Sequence, residues 1–374
     1  MRFIGNKENL ASKIYELLKK YQVIDLNYEQ NFCDLFSGST SMARFFKKQD
    51  FQIYSCDLLY FSYCLQKAYI QNNQAPIFKG LNEVLQTHRK IPNNTLFESE
   101  KTPYQKVLGI LNHLALKKGF IYHHYAPSGS KDLAIPRMYF SDENAQKIDA
   151  IRMQIEIWKE DNIINESEYF ILLATLIESV SFFANVAGVY AAFCKKWDKR
   201  ALKPFKLKEI ELLQSNKKHF CFCEDSVKML EYLQNNSNTN QSPKHTQIFD
   251  ILYLDPPYNH RQYAPNYHLL ETIAKYDNPK ITGVAGLRDY KEQKSAFCNA
   301  ISALRELEKI VKYKNYKHLV LSYNSEGLMK KEQINEILQP LGKLHFEKIK
   351  YPRFKSNARE GQRYINEYLW ILQR

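Results

Sequence analysis

The run Phe249-Asp250-Ile251-Leu252-Tyr253-Leu254 stops at Asp255-Pro256-Pro257-Tyr258, and that arrest constrains the fold more than any other feature of the chain. So short an apolar run, rich in aromatic and branched residues, reads as a buried strand, and two prolines end it by removing backbone donors. Strands hidden on both faces belong to parallel or mixed sheets covered by helices. Asn31-Phe32-Cys33-Asp34-Leu35-Phe36 ends in the same manner, at the small-residue turn Ser37-Gly38-Ser39. Helix-compatible Met42 to Phe46 follows, and then Phe51 to Cys56 ends at Asp57. Strand, turn, helix, strand is the unit of a parallel sheet. Phe220 to Cys223 and His318 to Ser322 read as further strands, and the alternation of Tyr364 to Leu372 fits an antiparallel edge.

Between these ends the rhythm changes. Ser141 precedes Asp142 and Glu143 and then Ile148, Ile151, Ile155 and Trp158 on one face, the pattern of a capped helix. From Tyr169 to Phe193 only Glu178 carries a charge, a length that reaches a bilayer's thickness. Glu178, Ser179, Ser181, Asn185 and Gly188 interrupt it, which favours a buried helix. With 374 residues, more than one typical domain, the chain is expected to divide into residues 1–80, a mainly helical insertion over 81–215, and residues 216–374. Residues 6–19 carry Leu10, Ile14, Leu17 and Leu18 at helical spacing, so a further helix is expected to follow directly on a Gly5-Asn6 turn.

Lys plus Arg number 53 against 40 acids, and the resulting +13 suits a polyanionic partner, nucleic acid first. Seven scattered cysteines in apolar settings fit reduced thiols, Cys221-Phe222-Cys223 lacks zinc spacing, and no metal is expected. The opening residues lack an apolar signal core, so a cytoplasmic protein is expected, with no membrane partner.

In open α/β sheets ligands bind beyond the carboxyl ends of strands, which is where Asp255-Pro256-Pro257-Tyr258 falls. This tetrapeptide resembles that of the amino-methyltransferases, Asp, Asn or Ser followed by Pro-Pro and an aromatic. The chemistry accounts for the residue types. An adenine amine shares its lone pair with the ring, and a carboxylate with a neighbouring carbonyl, Asp255 and Pro256, can accept its two N–H bonds and favour a pyramidal nitrogen. Tyr258 offers a face for an extruded base. Asp in the first position leans toward adenine, since cytosine-N4 enzymes carry Ser there and protein glutamine methylation carries Asn.

The remaining motifs point the same way. Asp34 to Thr40, with Phe36 and Gly38, resembles the family's cofactor loop, although Ser39 stands where glycine is usual. Asp57 and Asp225 end strands where the family places acids for the ribose and the adenine amine of S-adenosylmethionine; each also suits a helix N-cap. Phe3-Ile4-Gly5-Asn6-Lys7 resembles the N-terminal element of Dam-type enzymes, implying that Phe3 packs on the cofactor and Lys7 approaches its carboxylate or the active site. The order of these elements is that of the D12, alpha-group adenine methyltransferases. Ala184 to Tyr190, Lys196 to Leu202 and the stretch from Asp255 to Glu271 are similar to the enzymes that accompany type IIS restriction endonucleases.

The resemblance therefore implies a Rossmann-like α/β methyltransferase fold with an inserted target-recognition domain. It also implies S-adenosylmethionine as methyl donor and site-specific methylation of adenine N6 in double-stranded DNA, by a monomer paired with a separately encoded endonuclease. Arg261, Lys196, Lys199, Arg200, Arg353 and Lys355 are the expected DNA contacts. An RNA adenine methyltransferase would need the same catalytic residues, and a silent nucleic-acid-binding subunit would keep the fold without them.

Overall fold

A computed structural model of the chain describes residues 3–81, 101–235, 248–352 and 364–374. The chain divides into two compact units.

One unit, Phe3–Gln66, Ser215–Ala264 and Tyr290–Arg374, contains a seven-stranded sheet. Its strands are β1 (Asn31–Asp34), β2 (Gln52–Asp57), β3 (Phe220–Cys223), β4 (Phe249–Leu254), β5 (Tyr316–Asn324), β6 (Lys343–Pro352) and β7 (Tyr364–Gln373), in the order β3-β2-β1-β4-β5-β7-β6. The first five are parallel; β7 pairs antiparallel with β5, and β6 antiparallel with β7. Every residue of β4 is buried, which explains its lack of polar alternation. β1 and β4 lie side by side, Asp34 opposite Tyr253, at the point where the strand order reverses. Their carboxyl ends open there into a ligand crevice.

The opening helix spans Ala11–Lys20, starting later than residue 6. The expected Gly5-Asn6 turn is present, with Gly5 at φ +77° and the Asn6 side chain accepting from the Glu8 amide, but turns continue to Leu10 and carry Lys7 inward before the helix begins. Leu10, Ile14, Leu17 and Leu18 are buried as their spacing implies.

The other unit, Lys67–Gln214 with Pro265–Asp289, is built mainly of helices, among them Pro103–His113, Asp142–Glu160 and Glu166–Phe183. Ser141 caps the second of these through the Asn144 amide, and Asn165 and Glu168 form a capping box on the third. Glu166–Phe183 is buried almost all round, and no described helix is long and apolar enough to cross a membrane. Asp149 receives the Gly119, Ile121 and Tyr122 amides at 2.8–3.0 Å and the Tyr276 hydroxyl at 2.6 Å, fixing Pro265–Asp289 within this unit.

Candidate active site

Three chain segments meet at the carboxyl ends of β1, β2 and β4. Phe3 to Lys7, the turn after β1 and the segment after β4 line one cavity with Asp57, Asp225, Tyr263 and Phe297. The sequence-predicted residues Phe3, Lys7, Asp34, Phe36, Gly38, Asp57, Asp225 and Asp255 all line it.

The turn after β1 is held tightly. Gly38 sits at φ +50°, its amide donates to Asp57 Oδ2 at 2.8 Å, and its carbonyl accepts from the Ser62 hydroxyl at 2.7 Å. A Cβ at Gly38 would fall 2.6 Å from the Phe3 ring, so only glycine lets the aromatic lie against this turn. Asp57 also accepts from the Leu59 amide at 2.9 Å. Asp57 ends β2 on the cavity wall, where a strand-end acid can accept ligand hydroxyls. Asp225 caps helix Ser226–Asn235 through the Val227 and Lys228 amides with Oδ1 alone. That cap leaves Oδ2 for a second partner, so the two expectations for Asp225 do not compete. A small-residue turn without room for a Cβ and two strand-end acids lining one crevice together suit a nucleoside-bearing cofactor.

The polar centre lies beside this cradle. Lys7, only 4% exposed, places Nζ 2.7 Å from Asp255 Oδ1, 3.3 Å from Glu367 Oε1 and 3.3 Å from the Gly5 carbonyl. Burial opposes the ammonium charge, but Asp255 and Glu367 outweigh it and hold Lys7 well above its ordinary pKa. Asp255 retains 17% side-chain exposure, enough to be reached from the cavity. Burial raises its pKa above the usual carboxylate range, with Lys7 pulling back and Glu367 adding to the rise. Burial also pushes the Asp34 carboxyl up to about 7, against the Phe36 amide that stabilises its ionised form. Asp34 therefore contributes full stability below about pH 4, and the contribution is lost as pH rises through about 7.

Tyr258 is half-buried, with its ring beside Gly5 and its carbonyl accepting the Leu328 amide at 3.0 Å. Of the polar loop beyond it, Gln262 is spent internally: its amide both donates to the Ser295 carbonyl and accepts the Ser295 amide. Arg261 is exposed. In the helical unit Asn185 bonds the Met138 and Cys194 carbonyls and the Asp198 amide, ordering a loop on which Lys196 and Lys199 are exposed. Arg200 folds back on Asp198 at 2.6 Å, and Arg353 and Lys355 lie outside the described residues.

Sequence reasoning missed Glu367. It is 3% exposed, in β7 opposite Asn324, and its carboxylate also accepts the Ser322 hydroxyl at 2.7 Å. A lone charge in a strand that is otherwise uncharged and mostly apolar or aromatic was the available signal.

The chain matches the sequence model of the D12 class N6 adenine-specific DNA methyltransferases over residues 3–337. Over its whole length it is 37% identical to type II methyltransferase M.FokI of Planomicrobium okeanokoites and 33% identical to modification methylase StsI of Streptococcus sanguinis. It spans about half of each, 53% and 52%. It is 35% identical to type II methyltransferase M.NlaIII of Neisseria lactamica, whose length it covers to 99%. Because the family match runs from the turn that carries Lys7 through the cofactor-type loop and the Asp-Pro-Pro-Tyr segment, the chain belongs to the D12 class N6 adenine-specific DNA methyltransferases.

Proposed function

We propose that this chain methylates N6 of an adenine swung out of duplex DNA at one recognition sequence, with S-adenosylmethionine as donor, as the modifying member of a restriction-modification pair. The observation that carries the reading is Asp255, held at a strand end by Lys7 within the same cavity as the Gly38 turn. Family membership and the names of the relatives support DNA as substrate. The basic excess supports a polyanion.

When bound, S-adenosylmethionine supplies a methyl group on a positively charged sulfur that keeps the C–S electron pair as the methyl leaves. Phe3, Gly38, Asp57 and Asp225 would hold it. The chain's own contribution is to the amine. Asp255 and the Pro256 carbonyl accept its two N–H bonds, and the proline pair fixes both acceptors before the base arrives, so no reorganisation is required during attack. Tyr258 stacks on the base, which must leave the helix to be reached. Lys196, Lys199 and Arg261 meet phosphates, Arg353 and Lys355 join them, and Arg200 does so on release from Asp198. The protein works as a monomer beside a separately encoded endonuclease.

Tyr258→Ala is expected to raise KM for DNA about tenfold, the value of one stacked base, with a smaller change in kcat. Unchanged KM at low DNA concentration would remove the stacking role. Gly38→Ala combines a left-handed backbone with a 2.6 Å approach to Phe3. Labelled S-adenosylmethionine should bind it about tenfold more weakly in equilibrium dialysis, and equal affinity would disconnect this turn from the cofactor. The reading as a whole is tested by offering duplex DNA, RNA and protein as competing acceptors. Adenine N6 in duplex DNA should take the label, and transfer to RNA alone would favour the alternative substrate.

A further inference from the structure

Lys7 has three ammonium hydrogens and meets three acceptors: the Gly5 carbonyl, Asp255 and Glu367. The cluster thus holds one cation against two carboxylates. Alone with Lys7, Asp255 would form a neutral pair whose field largely cancels a few ångströms away, leaving a weak acceptor. A second buried carboxylate on the same ammonium restores a net negative charge. We infer that Glu367 is a positioning residue for methyl transfer: by sharing Lys7, it leaves the cluster that Asp255 presents to the adenine amine with a net negative charge.

This inference rests on the function proposed above. In the transfer, the nitrogen lone pair forms the N–C bond, and the departing sulfur retains the electrons of the bond that breaks. Positive charge then resides on nitrogen until one N6 proton leaves for water by way of the Asp255 oxygen that holds it. A net negative cluster stabilises that charge throughout, and preorganised charge is worth most in a cavity sheltered from water. A purely structural role would not call for an acid here, since burying surplus charge is costly and a neutral residue of similar size packs as well. Ser322, itself fully buried, fixes Glu367 by donating to it.

The groups that face Asp255 are Lys7 from the N-terminal turn, Glu367 from β7, Asp34 from β1, Tyr253 from β4, and Tyr258. Among them Glu367 raises the Asp255 pKa, so its neutralisation has a defined sign.

Glu367→Gln keeps the size and an acceptor for Lys7 and Ser322 while deleting the charge. Its kcat is expected to fall about tenfold, with KM for DNA and for S-adenosylmethionine within about twofold of wild type. The acidic limb of the kcat profile should move down by about one pH unit, because the negative neighbour of Asp255 is gone. In the free protein, NMR of 13C-carboxyl aspartate, with the Asp255 resonance assigned by its loss in Asp255→Asn, should show Asp255 titrating at lower pH in Glu367→Gln. Ser322→Ala, which loosens Glu367 and keeps its charge, should lower kcat less and move the limb in the same direction. It serves as the test should Glu367→Gln fail to fold.

A slower enzyme whose acidic limb and Asp255 titration stay in place would overturn the inference and leave a structural role, as would unchanged kcat. Wild-type protein that transfers nothing to DNA would instead overturn the functional reading, and this inference with it.

Discussion

Asp255→Ala is expected to slow methyl transfer to duplex DNA about a hundredfold to a thousandfold, the usual loss when one preorganised acceptor or donor is removed from a reacting centre. Binding should change little. The side chain lies at the carboxyl end of β4, followed by two prolines that hold the backbone whatever occupies position 255, and Lys7 keeps Glu367 as a partner. The loss therefore falls on kcat, with DNA affinity in a gel-shift assay and cofactor affinity in dialysis both within about threefold of wild type. Asp255→Asn, which retains one acceptor oxygen, should fall between. If Asp255→Ala turned over normally, the carboxylate would have no part in activating the amine.

Lys7→Met is expected to damage both rate and stability, and the two respond to pH in linked ways. Without the ammonium, Asp255 and Glu367 become buried acids lacking their cation, so the Asp255 pKa rises further and Asp255 is protonated near neutrality. Activity at pH 7 should drop about a hundredfold, and the acidic limb of the kcat profile should move up. Breaking a buried ion pair by removing one partner costs about 3–5 kcal/mol. An acid with a raised folded pKa contributes stability below its unfolded pKa, lost as pH rises through the folded value. Lys7→Met should thus melt close to wild type at about pH 4 and fall progressively below it toward neutrality. A uniform drop in melting temperature across that range would show that Lys7 is structural and does not set the charge of Asp255.

The parallel core of the sheet could be read from the sequence because its strands are short apolar runs that stop at turn residues. β4 ends at Asp255-Pro256, and β1 at the Gly38 turn. β6 could not: Lys343, His345, Glu347, Lys348 and Lys350 spread charge along a sheet edge, where pairing with β7 supplies the structure that local propensity does not. The same distance in sequence hid Glu367. Its partners are Lys7 and Ser322, and only the β5–β7 register brings that strand to the N-terminal turn. Asp57 and Asp225 were legible as strand-end acids, but their backbone bonds to Gly38 and Val227 depend on turns whose conformation the sequence leaves open. The start of the first helix was displaced for a related reason, since a favourable apolar stripe says nothing of Lys7 being drawn into the sheet end.

The proposed mechanism depends on a strand-end carboxylate, held by Lys7, that makes an adenine amine nucleophilic. It can be put to the test by incubating the purified chain with methyl-labelled S-adenosylmethionine and duplex DNA containing all short sequence contexts, then locating the modified bases by single-molecule sequencing and nucleoside analysis. Wild type should leave N6-methyladenine at one recognition sequence, and Asp255→Ala almost none. Label on cytosine, or equal adenine methylation by the two proteins, would contradict this mechanism.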